Sequence, residues 1–210
     1  SDELLRICLD KYNTIIFLQK HGFNVPATYL TLDELPTSSG PYICKPRKSN
    51  GSKNIFVFQK KDDLYQQTLE QCVFQEYIDS NNEYTIGVFR HNVLINIIAF
   101  KRELKNGYSN KVELVNDKKL YRLAEQIALA FSLEGYFNIQ LREKNGTYYI
   151  FEINPRISGT VRFRDMLDFH DVLWWLDILD GKEPRPYTCP YSCAIGMREL
   201  NEKFLIIKNK

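Results

Sequence analysis

Apolar and polar positions along the chain change period several times, and each change marks an element. In the opening stretch SDELLRICLDKYNTIIFLQKHGF, residues Leu4, Leu5, Ile7, Cys8, Ile15, Ile16 and Leu18 recur at helical spacing. This predicts one helix entered directly after Ser1 or Asp2. Gly22 and Pro26 end it, and LTLDELPTSSGP reads as a short helical turn followed by a loop. YICKP (42–46), IFVFQ (55–59) and CVFQEYI (72–78) are strand candidates, with a polar helix over 62–71 opened by Asp62 and Asp63. EYTIGVF and VLINIIAF flank Arg90-His91-Asn92, which has the length of a hairpin turn, so these two strands are expected to pair antiparallel.

From 116 to 132, Leu120, Leu123, Ala124, Ile127, Ala128 and Phe131 again recur at helical spacing behind a cap at Asn116 or Asp117. GYFNIQLRE and TYYIFEIN alternate with a period of two and are joined by Lys144-Asn145-Gly146, the signal of a second hairpin. An apolar helix is expected over 171–179, and SCAIGMREL with KFLIIK reads as a closing strand pair around Asn201-Glu202. No internal repeat or heptad array is visible. Antiparallel strand pairs with helices interspersed predict an α+β fold.

Composition narrows what such a fold can do. A chain of 210 residues, 44% hydrophobic and 13% aromatic, fits one large domain or two closely packed subdomains. Its 28 basic and 26 acidic side chains leave a net charge of +2, so no global field draws in nucleic acid or an anionic membrane, although a local basic patch remains open. Five cysteines (Cys8, Cys44, Cys72, Cys189, Cys193) with no C-x-x-C pair argue against a disulfide framework or a zinc site, and a reducing cytoplasm is the expected home. No signal peptide opens the chain, and no apolar run approaches the roughly 18–20 residues needed to cross a bilayer. The abrupt helical start is what an excised piece of a longer protein would show. Oligomeric state is left open, a homo-oligomer included.

Three stretches carry candidate chemistry. In FEINPRISG (151–159), period two puts Glu152 and Asn154 on one strand face, with Arg156 just beyond the end. Counting back through the turn brings Gln140 almost opposite Glu152. One carboxylate and two amide oxygens are hard ligands of the kind Mg²⁺ takes together with phosphate and water; the alternative is a solvated polar face. The second stretch is KPRKSNGSKN (45–54), where Gly51 and successive N–H groups can wrap anionic oxygens and Lys45 adds a point charge, or which is simply a basic hairpin tip. It matches neither a Walker A motif nor a dinucleotide fingerprint. In FQEYIDSNNEYTI (74–86) a strand stops in a polar connector whose backbone can pair with a planar base, with Glu76 and Glu83 as acids within reach of ribose, or which is an ordinary exposed loop. His21, His91 and His170 are isolated and read as structural, Trp174-Trp175 as core or interface, and RFRD (162–165) either as a carboxylate contact or as a surface salt bridge.

The order of these stretches resembles the ATP-grasp superfamily, most nearly its carbamoyl-phosphate-synthetase-like branch of carboxylate–amine ligases. DKYNTIIFLQKHGFNVPATYL is similar to the family's opening helix, YICKP to its phosphate-lysine strand, RKSNGSKN to its glycine loop, QEYIDSNNEYTIGV to its hinge, and NIQL with FEINPRISGT to its metal strands; GMREL also fits the branch. The resemblance implies an α+β fold of two subdomains with mostly antiparallel sheets. Residues 1–37 would be an opening helix and connector on the larger subdomain, 38–78 a small lid, and 79–210 the larger metal- and nucleotide-binding part, with the family's N-terminal domain missing.

It further implies ATP and two Mg²⁺ ions (or Mn²⁺) as cofactors. Lys11, Lys45, Gly51 and Ser52 would hold phosphates; Glu76, Tyr77 and Ile78 would form the adenine hinge; and Glu83 would receive the ribose hydroxyls. Gln140, Glu152 and Asn154 would bind metal. Arg156, Lys45 and Arg102 would face the transferring phosphoryl group, with Lys101 beside Arg102. The implied function is an ATP-dependent ligase that activates a small-molecule carboxylate as an acyl phosphate for attack by an amine. The alternatives are a non-catalytic ATP-binding module and a phosphotransferase to a hydroxyl. The loop departs from the family in carrying one glycine and several lysines, and the missing domain would supply part of the acceptor site.

Overall fold

The structure, a computed structural model, describes residues 2–36, 40–49, 54–60, 63 and 71–199, and the backbone of 203–207. In place of one opening helix there are two, α1 (Asp2–Leu9) and α2 (Lys11–Lys20). The break has a local cause. Asp10 is extended (φ −118°, ψ 114°), and its Oδ1 accepts hydrogen bonds from the backbone N–H of Tyr12 (3.0 Å) and Asn13 (3.2 Å), so it caps a new helix instead of continuing the old one.

A four-stranded antiparallel sheet follows. It is ordered β1 (Thr28–Tyr29), β4 (Cys72–Glu76), β2 (Tyr42–Pro46), β3 (Phe56–Phe58). Leu35, Tyr42, Cys44, Phe58 and Phe74 form its core. The helix expected over 62–71 falls almost wholly outside the described residues.

The remaining strands build a seven-stranded antiparallel sheet. Its order is β11 (Lys203–Ile207), β10 (Cys193–Met197), β7 (Tyr108–Val115), β6 (Leu94–Lys105), β5 (Glu83–His91), β8 (Gly135–Lys144), β9 (Thr147–Asn154). The β5–β6 turn lies one residue later than expected, because His91 still pairs with Leu94 and Asn92 takes a positive φ of 54°. The strand β7 is absent from the sequence expectation, since its buried positions, Ser109, Val112 and Leu114, give too weak an alternation to register.

One sheet face packs on α3 (Lys118–Phe131), where Leu120, Ala124, Ile127, Ala128 and Phe131 meet Ile86, Val88, Phe137, Ile139 and Leu141. The other face divides in two. Toward β6, β7 and β10, residues Phe89, Ile98, Phe100, Val112 and Leu114 pack under Phe163 of α4 (Val161–Asp165) and Trp174 of α5 (Asp171–Leu179). Trp174 is therefore core, in edge contact with the rings of Phe89 and Phe169. The other part of this face carries the polar side chains of β5, β6, β8 and β9 and forms a cleft wall.

Candidate active site

The cleft owes its chemistry to one irregularity in the β8–β9 hairpin. From the Asn145-Gly146 turn, both residues at positive φ, pairing runs in constant register as far as Leu141 opposite Ile150. There the register shifts, and Gln140 pairs with Glu152, Ile139 with Ile153 and Asn138 with Asn154. Phe151 is the extra residue of a β-bulge. Strict alternation would place Gln140 opposite Phe151 and turn Glu152 to the same side as Ile139, into the α3 core. With the bulge, Ile150 and Ile153 stay in that core, while Glu152 and Asn154 share the cleft face with Asn138 and Gln140.

The cleft has a volume of about 940 Å³ and walls from both sheets. Lys11, Lys45, Glu76, Tyr77, Ile78, Glu83, Arg102, Gln140, Glu152, Asn154 and Arg156 all line it. Gly51 and Ser52 lie outside the described residues. These expected residues therefore share one cleft, whereas Lys101, also expected beside Arg102, does not line it.

Two lysines stand on one side. Lys11 Nζ donates to Ser49 O (3.2 Å) and Oγ (3.0 Å) and lies 3.8 Å from Glu152 Oε1. Burial lowers its pKa, against the pull of Glu152 and Asp10. Lys45 is almost wholly buried. It donates to Gln75 Oε1 at 2.8 Å, sits 5.4 Å above the Phe151 ring, and has its pKa lowered to about 8 by burial. Gln75 in turn donates to Thr28 Oγ1 at 2.7 Å, which ties the lysine to β1. Arg47 makes a two-pronged contact with Asp10 (3.1 Å to Oδ2 from Nε, 2.8 Å from Nη2), so the loop after β2 is fastened to the start of α2.

Glu83 is buried, and both of its carboxylate oxygens are engaged. Oε1 accepts from Arg102 Nε (2.9 Å) and Nη2 (2.7 Å), and Oε2 accepts from Arg142 Nε (2.9 Å) with Nη2 at 2.8 Å. With these four contacts made, the carboxylate orients two guanidiniums, and a ribose hydroxyl would have to displace one of them. Arg142 also donates to Ile78 O (2.9 Å) and lies 4.8 Å from the Tyr77 ring, so it reaches the connector expected to act as a hinge.

The oxygen set of Gln140, Glu152 and Asn154 fits a hard divalent cation in part. Glu152 supplies the charge, and Asn154 Nδ2 is buried with no hydrogen-bond partner among the described residues, so no bond from that nitrogen to them holds the amide against turning its oxygen to a ligand. Gln140 Oε1 accepts from Arg102 Nη2 at 2.9 Å, which leaves one of its two lone pairs for a cation beside a guanidinium that opposes it. Among the described residues no group of three or more His, Cys, Asp or Glu side chains comes together, so any cation here depends on amide and ligand oxygens as well.

Several expectations resolve differently. Lys101 does not share the cleft with Arg102. The period of two turns it to the opposite face of β6, where it donates to Asn82 Oδ1 at 2.7 Å. In RFRD, Arg162 makes a surface pair with Asp165 (3.0 Å), whereas Arg164 is fully buried against Asp171 (2.7 Å); neither lines the cleft. His21 bonds Phe17 O and His170 bonds Asp165, both away from the cleft. Residues missed from sequence include Gln75, Arg142 and Asn138. Period two on β8 was the available signal for the last two, since they flank Gln140 on its own face.

Comparison with known proteins bears on the family and the fold. A family described as the ATP-grasp domain matches residues 8–160. The D-alanine–D-alanine ligase of Petrotoga mobilis is 25% identical over 186 residues, covering 76% of this chain and 61% of that protein. The tyramine–L-glutamate ligase of Methanocaldococcus jannaschii is 27% identical over 166 residues, covering 77% and 47%. Among solved structures, the N5-carboxyaminoimidazole synthetase of Staphylococcus aureus with ADP superposes with a TM-score of 0.76 at 19% identity, over 91% of this chain and 56% of that one. An L-amino acid ligase from Bacillus licheniformis gives 0.70 at 19% identity, over 92% and 54%. The chain therefore spans about half to three-fifths of the length of these relatives. With a matching domain over most of its length and the same α+β fold, the chain belongs to the ATP-grasp family.

Proposed function

We propose that this chain is the nucleotide-binding and catalytic part of an ATP-dependent carboxylate–amine ligase. The observation that carries the reading is the bulge-built set of Gln140, Glu152 and Asn154, facing Lys11, Lys45, Arg102 and Arg156 in one cleft. A metal-ligand face would serve nucleotide binding as well; what favours catalysis is the pair of guanidiniums, Arg102 and Arg156, beside it in the same cleft. In the proposed reaction a substrate carboxylate oxygen forms a bond to the γ-phosphorus of ATP while the bond to the β-phosphate oxygen breaks, releasing ADP. The amine nitrogen then attacks the acyl carbon, phosphate leaves, and the amine loses a proton.

Lys11 and Lys45 neutralise phosphate oxygens, and burial strengthens each contact because little water screens it. Arg102 and Arg156 stabilise charge that develops on the transferring group, a kind of contact worth about 3–4 kcal/mol of barrier. Glu152 and Asn154 would hold Mg²⁺, which supplies charge neutralisation between phosphate oxygens. The relatives are ligases by name, and the part of the protein that recognises the carboxylate and the amine lies in variable loops and, we propose, in a further domain.

The test supplies full-length protein with ATP, Mg²⁺, a panel of carboxylates and hydroxylamine as a surrogate amine. The expected result is a hydroxamate formed with stoichiometric ADP and phosphate for at least one acid. Nucleotide binding with no carboxylate-dependent ADP release would support the non-catalytic module instead, and a stable phosphorylated product would support a phosphotransferase.

A further inference from the structure

The β6–β7 ladder shifts register at the edge of the cleft. Glu103 pairs with Lys111 and Leu104 with Ser109, so Asn110 is the extra residue of a β-bulge, and the pairing of β10 with β7 ends at Met197 opposite Lys111. Arg198, the next residue and the arginine of the GMREL stretch, closes the gap. Its backbone N–H donates to Asn110 O (2.7 Å), its Nε donates to Ser109 O (3.0 Å), and its Nη2 donates to Gly159 O. The guanidinium also lies 5.6 Å from the centre of the Phe163 ring on α4. One side chain thus joins β7, the 155–160 segment and α4, and both Ser109 and Gly159 line the cleft.

The segment it grips carries Arg156. Bonds within the segment are local: Arg156 N–H donates to Asn154 O (2.9 Å), Thr160 N–H to Ser158 Oγ (3.2 Å) and Val161 N–H to Ser158 O (3.1 Å). They shape a turn without fastening it to β7, whereas Arg198 reaches Gly159 across 39 residues of sequence. A fastening matters because of charge. Burial lowers the Lys11 pKa, and the positive charge of Arg156 adds to the lowering, so the two cations repel each other on the Glu152 side of the cleft. Arg156 is exposed and Lys11 is buried, so the arginine is the partner with room to swing away.

Resting on the proposed ligase function, we propose that Arg198 is a positioning residue for the reaction: by bridging Ser109 and Gly159 it holds the 155–160 segment against β7, so that Arg156 stays turned to the transferring phosphoryl group instead of yielding to Lys11. It acts through Arg156 and touches no substrate itself.

The test is hydroxamate formation by full-length protein with ATP, Mg²⁺ and an accepted carboxylate, for wild type, Arg198→Met, Arg156→Ala and the double variant, with Arg198→Lys as the conservative change. Methionine keeps a long side chain beside Phe163 but donates no hydrogen bond, and lysine keeps the charge without the planar fork that spans both carbonyls. The kcat should fall about tenfold in Arg198→Met and about threefold in Arg198→Lys, with KM for ATP within about twofold of wild type. Arg156→Ala removes the group on which Arg198 acts, so adding Arg198→Met to it should lower the residual kcat no further. A purely structural role would act alike in both backgrounds, so an equal fall of kcat with and without Arg156 overturns the proposal, as does an unchanged kcat in Arg198→Met. If Arg198→Met does not fold, the same cycle is read with Arg198→Lys. If the wild type forms hydroxamate with no carboxylate, the ligase function fails and this proposal falls with it.

Discussion

Gln140 and Glu152 face each other across β8 and β9 because Phe151 bulges out of the ladder beside them. Deleting Phe151 removes the extra residue, so Glu152 follows Ile150 directly, still pairs with Gln140 and stays on the cleft face in an unbroken ladder. The deletion variant loses the ring beneath Lys45 but should keep Mg²⁺-dependent nucleotide binding, whereas Glu152→Ala, which leaves the bulge in place, should lose that dependence and melt close to wild type. Thermal unfolding of the two variants with ATP, with and without Mg²⁺, checks this.

Lys45 gives a pH signature whose sign is fixed. Burial lowers its folded-state pKa from the ordinary 10.5 to about 8, so between those values the unfolded chain holds a proton that the folded chain has given up. Stability should rise as pH increases from about 8 to 10.5, by an upper bound of about 3 kcal/mol, and Lys45→Met should remove the rise. Phosphate binding needs the protonated form, so nucleotide affinity should fall in the same window. Urea titrations and nucleotide titrations at pH 7.5 and pH 9.5 read the two effects.

The buried pair Arg164–Asp171, at 2.7 Å and 1–2% exposed, stands under Gly87 of β5. Asp171→Ala would leave the guanidinium alone in an apolar setting, with an expected loss of about 3–5 kcal/mol. Gly87→Ala attacks the same place from the strand, since an added methyl group would lie 2.5 Å from Arg164 Cδ and Nη1. Overpacking of that kind costs about 1–3 kcal/mol. Both variants should lower the melting temperature, and their effects should combine non-additively in the double mutant, since both act on Arg164.

Asp10 caps α2 and receives Arg47 at once. Asp10→Ala should cost about 1–2 kcal/mol from the cap alone. It should also release the segment that brings Ser49 to Lys11, and so weaken nucleotide binding more than Asn13→Ala, a nearby substitution on the same helix. Calorimetric melting and nucleotide titration separate the two consequences.

Strong local patterns survived into the fold. The hairpin turn at Asn145-Gly146, the α3 stripe and the YICKP strand each carry their own signal within a few residues, and each stands where the pattern put it. The cleft residues on β8 and β9 were legible because a carboxylate, two amides and a guanidinium gathered at a strand end are unusual side chains for that position. What escaped depended on distant partners. Arg142 has meaning only beside Glu83, 59 residues away, and Gln75 only beside Lys45, 30 residues away. Lys101 and Arg102 look alike in sequence, and only the β6 pleat sends one to Asn82 and the other to Glu83. The strand β7 takes its stability from β6 and β10 on either side, so its own sequence carries little of the signal.

Glu152, turned into the cleft by the bulge, is expected to make nucleotide binding depend on a divalent cation. The direct measurement is the shift in unfolding free energy of full-length protein at saturating ATP, with and without Mg²⁺, for wild type and Glu152→Ala. At about a hundredfold excess over Kd, wild type should gain about 2.7 kcal/mol from the Mg²⁺ complex and clearly less from ATP alone, whereas the variant should respond equally to both. An identical Mg²⁺-dependent gain in both proteins would remove Glu152 from the metal site and contradict the account.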